Sequence, residues 1–120
     1  MASSRYNHAG GYLGARQLLA RTVRPTAIFA GADIVAMGLD AIAEAGLRVP
    51  EDISVAGYDN TTFAALRPIS LTSVGQAGHE IGADAARLLL DRIAHRARPT
   101  AQIKLSPALV VRRTTAAPPA

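Results

Sequence analysis

Two apolar runs in this sequence end on groups that can bind or react. "TAIFAGAD" ends on Asp33, and "ISVAGYDN" ends on Asp59 and Asn60. A carboxylate accepts hydrogen bonds strongly, and in open α/β sheets ligands bind outside the carboxyl ends of the strands. Both acids are therefore suited to accept from the hydroxyls of a sugar-like ligand. Each also has a plainer use. Asp33 is well placed to N-cap the helix that follows it, and Asp59–Asn60 fits an Asx-type turn. The cap and the ligand role can coexist on Asp33.

A third group of polar side chains lies in "RYNHAGGY": Tyr6, Asn7, His8 and Tyr12. An aromatic ahead of a helix can stack on a sugar or base, or it can fill a gap in the core. Tyr6 is open to both uses, and Tyr12, on the helix itself, is expected in the core. His8 has the chemistry of a general base. His8, His79 and His95 lack metal-ligand spacing, and without cysteine neither a disulfide nor a thiolate site can form. "GGYLG" is not G-x-G-x-x-G, and neither a G-x-S-x-G elbow nor a Walker A lysine occurs. Nothing fixes the separation of the two acids or raises the pKa of one, as glycoside hydrolysis requires. The residues point to binding rather than to an enzyme, with no cofactor.

Composition sets what must position these groups. The 120 residues suit one domain or a piece of a larger one, 49% hydrophobic and 18% charged, which is globular. Aromatics make up only 4%, so the core must come from Ala, Leu, Ile and Val. Of 13 basic residues only Lys104 is a lysine, and the arginines are scattered without interleaved aromatics. The net charge of +4 therefore reads as solvated surface rather than a nucleic-acid footprint. The N-terminus lacks a secretory h-region and no run could span a membrane; the expected location is the cytoplasm. Residues 1–113 are expected to form one partial domain and 114–120, "TTAAPPA", a flexible tail.

Along the chain, Ala15, Leu18, Leu19 and Thr22 make one apolar stripe, predicting a helix from Gly11 to Thr22 that Pro25 stops. "TAIFAG" is a first strand. A helix over "IVAMGLDAIAEAG" follows, closed by Gly46 as a C′ residue. "DISVAGY" reads as a parallel strand covered on both faces, and "LTSVGQ" as a third strand or an extended crossing segment. A long helix from Gly78 to His95 carries Ile81, Ala85, Leu88, Leu89 and Ile93 on one face, and "SPALVVRR" supplies a last strand. Strands alternating with helices make the class α/β with a parallel sheet. The order starts with a helix whose preceding strand is missing, so the chain reads like a fragment.

Three blocks, "PTAIFAGAD" with its helix, "GLRVPEDISVAGYDN", and "LTSVGQ" before "GADAARLLL", resemble the sensor region of LacI/GalR-family transcription regulators, over about Tyr6 to Pro119. The resemblance implies the C-terminal subdomain of a periplasmic-binding-protein-like fold, incomplete here: a Rossmann-like parallel sheet flanked by helices, with a small effector, a sugar or nucleobase, held in a cleft between two subdomains. It assigns effector contact to Asp59, ligand stacking to Tyr6, and polar contacts to Asp33; Asn60, beside Asp59, is counted with the effector-binding residues and is also the expected occupant of the turn. Where many members read "AND", Ala32 here replaces the asparagine. It also implies a homodimer formed through Met37 and the neighbourhood of Phe63 to Leu66. DNA would be bound only by a helix-turn-helix outside this chain, and the stripe on the last long helix would pack on the subdomain that is also outside it. The alternative with the same architecture is the substrate-binding protein of a sugar ABC transporter. The "VPEDISVAGYDN" block and the terminal "LVVRRTTAAPP" favour the regulator.

Overall fold

A computed structural model describes residues 6–38 and 40–119. Its elements in chain order are α1 (His8–Leu19), β1 (Ala27–Phe29), α2 (Asp33–Ala36), α3 (Asp40–Glu44), β2 (Ser54–Tyr58), α4 (Thr62–Ala65), β3 (Thr72–Gly75), α5 (Gly78–Ala94) and β4 (Ala108–Val110). The four strands form one sheet in the order β1-β2-β3-β4. β1, β2 and β3 run parallel, in register at Ile28 with Val55 and Gly57 with Ser73, so "LTSVGQ" is a strand of the sheet. β4 joins antiparallel to β3, with Val74 opposite Leu109. This is the expected α/β class, with an antiparallel edge strand added.

The core is aliphatic, as the scarcity of aromatics requires. Leu19, Ala30, Ala36, Ile42, Ile53, Val55, Ala64 and Leu71 form one buried cluster, with Ile28, Val35, Leu47, Val49 and Ile69 packed around it. Ile42, Ile53 and Leu71 are essentially inaccessible to solvent, and burying each contributes about 1.5–3 kcal/mol. Ile53, Val55 and Gly57 point to the buried face of β2. Ser54, Ala56 and Tyr58 are only half-covered, so the strand is not sealed on both faces as its apolar run suggested. The long helix α5 buries none of its own residues.

The element boundaries differ from the periodicity for identifiable reasons. α1 starts at His8, because the Asn7 side chain accepts from the Gly10 amide (2.8 Å) and caps the helix a turn early. It ends at Leu19, leaving Thr22 outside. The helix expected over "IVAMGLDAIAEAG" is two short helices. A glycine interrupts it: a Cβ on Gly38 would lie 2.4 Å from the Gly11 carbonyl carbon and the Tyr12 nitrogen, so the chain turns where α1 crosses it. Gly46 follows α3 with φ +71°, the left-handed conformation expected of a C′ glycine. Tyr12 is not a core residue; it is half-buried, with its hydroxyl donating to Glu44 (2.6 Å), and that bond raises its pKa. Ahead of β2, Arg48 donates to Asp52 from its backbone and from its side chain, holding the Asp52 carboxyl below the usual range.

The first residues of the expected tail, Thr114 to Ala116, are hydrogen-bonded to the sheet. Thr114 is buried between the lower ends of β2 and β3. Its carbonyl accepts from the Val55 amide (2.7 Å), and its hydroxyl donates to the Val55 carbonyl (2.7 Å) while accepting from the Thr72 amide (2.9 Å). The Ala116 amide donates to Ser54 Oγ (3.0 Å). Thr114 thus bonds the backbones of both β2 and β3, at Val55 and Thr72.

Candidate functional site

The carboxyl ends of β1, β2 and β3 converge on the turn from Asp59 to Thr61. Two consecutive residues there have positive φ: Asp59 at +104° and Asn60 at +49°. Asp and Asn tolerate this region better than other side chains, but each such residue costs about 1–3 kcal/mol unless its surroundings hold it. The hydrogen bonds around the turn show what holds it.

Asp33 is the centre. Its carboxylate accepts from the Thr61 amide (2.7 Å) and the Thr61 hydroxyl (2.8 Å) through Oδ2, and from Ser73 Oγ (2.6 Å) through Oδ1. Ser73 Oγ in turn accepts from the Asn60 amide (3.0 Å). Asp33 is only 2% exposed. It does not cap α2, whose N-cap position is Ala32 with no side-chain bond; the carboxylate reaches across the sheet instead. Gly57 makes this possible, since a Cβ there would come within 2.4 Å of Asp33 Oδ1. Thr61 Oγ1 also accepts from the Ala64 amide (3.4 Å), capping α4.

Asp59 has a different environment. Its amide donates to the Val74 carbonyl (2.9 Å), while its half-buried carboxylate accepts, among the described residues, from Gln76 Nε2 (2.9 Å). Asn60 is tied on both sides: its side-chain oxygen accepts from Arg112 (2.6 Å), and its Cβ packs close to Gly75. Tyr6 is 71% exposed, its hydroxyl bonded to the Gly31 carbonyl at the end of β1. The ring therefore stands in solvent beside the strand ends and fills no core gap.

A depression of about 340 Å³ opens beside these strand ends, lined by His8, Asp33, Ile34, Met37, Asp59, Thr61 and Phe63. Its volume is at the lower end of the range for small-molecule sites, about 300–1,000 Å³. It brings together Asp33 and Asp59 from the effector set with Met37 and Phe63 from the dimer set. Asn60, Tyr6 and Leu66 do not line the depression. Ile34, Phe63 and Leu66 are all exposed, and Met37 is half-buried. His8 faces Asp40 at 3.5 Å rather than either acid. A smaller cavity of about 130 Å³ between α1 and β1 is lined by glycines and apolar side chains, which offer a ligand no side-chain hydrogen bond. Among the described residues no three His, Asp or Glu side chains gather as metal ligands.

Composition and periodicity did not single out Thr61, Ser73, Gln76 or Arg112. Thr61 had a signal, a threonine just ahead of "TFAA" in N-cap position. Arg112 had none, lying 52 residues from the Asn60 it binds.

Comparison with known proteins follows the same geometry. Residues 2–115 match the family model described as "Periplasmic binding protein-like domain". The HTH-type transcriptional repressor PurR of Escherichia fergusonii is 47% identical over 107 residues, covering 88% of this chain and 31% of that protein. The chain thus spans about a third of the length of the curated relatives it matches. Among solved structures, a LacI-family regulatory protein of Corynebacterium glutamicum superposes with TM-score 0.80 at 40% identity, covering 95% of this chain and 46% of that one. A LacI-family regulator of Enterococcus faecalis with bound ribose superposes with TM-score 0.86 at 35% identity, covering 95% and 42%.

Proposed function

Because the chain belongs to the periplasmic binding protein-like domain family, on the side of the LacI-type regulators, we propose that it supplies one wall of an effector site and works without chemistry. The effector is a small polyhydroxylated or heterocyclic molecule, a sugar or a nucleobase. Its occupancy shifts the regulator between closure states and so changes DNA affinity through a coupled equilibrium. The observation that carries this reading is the state of Asp59: a half-buried carboxylate with one side-chain partner among the described residues, on a positive-φ turn lining a depression.

In this reading Asp59 accepts ligand hydroxyl or N–H donors, and Tyr6 offers its exposed ring for stacking. Asp33, assigned polar contacts by the resemblance, and Asn60 act here by shaping the turn: the Asp33 carboxylate accepts from Thr61 and Ser73, and Asn60 Oδ1 accepts from Arg112. Met37, Phe63 and Leu66 belong to a dimer surface adjoining the site. The protein of Enterococcus faecalis that holds ribose supports the sugar class. The relatives described above are regulators, which favours this reading over a transporter's binding protein.

One wall buries too little of a ligand for tight binding, so this chain alone should bind in the millimolar range or more weakly. A titration followed by amide chemical shifts suits that range. Pentoses, hexoses, cellobiose and purine bases are each added to the wild type and to Asp59→Asn. The expected result is shifts confined to Gly31–Ala32 and Asp59–Thr61 for one ligand class, lost in the variant while the remaining amides keep their positions. Shifts elsewhere, or unaltered binding by Asp59→Asn, would remove Asp59 from the site. Nanomolar binding by this chain would overturn the single-wall picture.

A further inference from the structure

Beyond the effector contact itself, the turn that carries Asp59 is held from a distant part of the chain. Arg112 lies in the extended segment after β4 and is half-buried. One end of its guanidinium donates to the Leu71 carbonyl at the entrance to β3 (2.7 Å), and the other to Asn60 Oδ1 (2.6 Å). Its own amide donates to Thr72 Oγ1 (2.9 Å), which fixes the base of the side chain. The planar fork thus spans from the sheet to the turn, a geometry that a single ammonium cannot reproduce. Asn60 is also held through its amide by Ser73 Oγ (3.0 Å). Side chain and backbone of the second positive-φ residue are therefore both fastened, immediately next to Asp59.

We infer that Arg112 is a positioning residue of the effector site, acting through Asn60 to keep the Asp59 turn in its strained, ligand-facing conformation. The assignment of an effector rests on the reading of Asp59 given above; the hold on the turn does not. Arg112 does not touch Asp59. It supplies a charge-assisted hydrogen bond to the neighbouring amide, so losing it lets Asn60 relax towards negative φ and swings Asp59 with it.

The test uses this chain and reads the turn directly. Amide hydrogen exchange and ¹⁵N relaxation of Asn60 and Thr61 are compared in wild type, Arg112→Met and Arg112→Lys, with Ala30 and Ser54 as sheet controls. Those controls donate within the sheet region, to the Ala56 and Thr26 carbonyls. Met keeps much of the stem and removes the fork. Exchange at Asn60 and Thr61 is expected to rise about tenfold in Arg112→Met, as for loss of one bond to a charged group. Lys should fall between the two, and the controls should stay unchanged. Equal acceleration at turn and controls would mean a general loss of stability and would overturn the inference, as would unchanged exchange at the turn. If Arg112→Met does not fold, Arg112→Gln, which keeps a polar side chain too short to span from Leu71 to Asn60, takes its place. Its Thr61 amide should then exchange faster than in wild type, and an unaltered rate would overturn the inference. The ribose titration separates the two readings. Without a response at Asp59 in the wild type, the effector reading falls while turn exchange still decides the role of Arg112. With a response, Arg112→Met should weaken it about tenfold, and Arg112→Lys should restore part of it.

Discussion

Two aspartates stand at the ends of neighbouring strands, and their environments assign them different work. Asp33 is buried, and a buried carboxylate is tolerated only when it is hydrogen-bonded; three donors from Thr61 and Ser73 meet that need. Asp33→Ala would leave those donors without their acceptor, at about 1–3 kcal/mol for each one that stays buried. Ser73 is the one fully buried donor, so the expected loss is about 1–3 kcal/mol in urea unfolding, seen as a lower midpoint with little change in slope. Among the described residues Asp59 has only Gln76 as a side-chain partner, so Asp59→Asn should cost within about 0.5 kcal/mol, as surface substitutions usually do. A loss below about 1 kcal/mol for Asp33→Ala would mean that its three bonds do not hold the turn. The contrast also explains why the two residues looked equivalent in the sequence. Each closes an apolar run, and only the distance across the sheet to Ser73 separates a structural acid from an available one.

Among the elements, α1 and α2 are joined through glycine, and α5 carries glycine for no packing reason. A Cβ on Gly11 would fall 2.0 Å from the Val35 carbonyl oxygen, which is backbone and cannot step aside. Gly11→Ala should therefore destabilise by more than about 2 kcal/mol, overriding the gain of up to about 1 kcal/mol that alanine brings to a helix interior. Gly82, within α5, has nothing within 4 Å of the same position among the described residues. Gly82→Ala should show that propensity gain alone, as increased helicity by circular dichroism and no loss of thermal stability. If both variants behaved alike, the close approach of α1 to α2 would be refuted. The strands and the long helix were legible because their patterns are local: β2 is an apolar run closed by "YDN", and α5 is a sustained stripe. The break at Gly38 and the stitching of Thr114 were not legible, since each is set by backbone far away in sequence. The site was half legible for the same reason. The acids mark strand ends, while the bonds that give each its role come from β3 and from Arg112.

At the scale of the whole molecule, the chain is elongated, 60 Å by 26 Å by 23 Å, with a radius of gyration of 18.3 Å. A compact chain of this length would have about 14 Å. The helix α5 shows what that shape leaves unsatisfied. Ile81, Leu89, Leu90 and Ile93 are 45–67% exposed, and none of the helix is buried. Covering such side chains is worth about 1.5–3 kcal/mol each when complete, and contiguous apolar surface of this kind promotes association. The dimer surface proposed around Phe63 and Leu66 is a second exposed apolar region, 60% and 49% accessible at those residues. The two can be separated by charge substitution. Sedimentation velocity on this chain should show concentration-dependent self-association, since α5 offers the larger continuous stripe. Leu89→Lys with Ile93→Lys should shift the chain towards monomer, because two buried ammonium groups in the contact would lack partners. Phe63→Asp should leave that association largely intact. The reverse ranking would make the Phe63 surface the dominant contact, and a monomer at every concentration would mean that α5 finds its cover within its own chain.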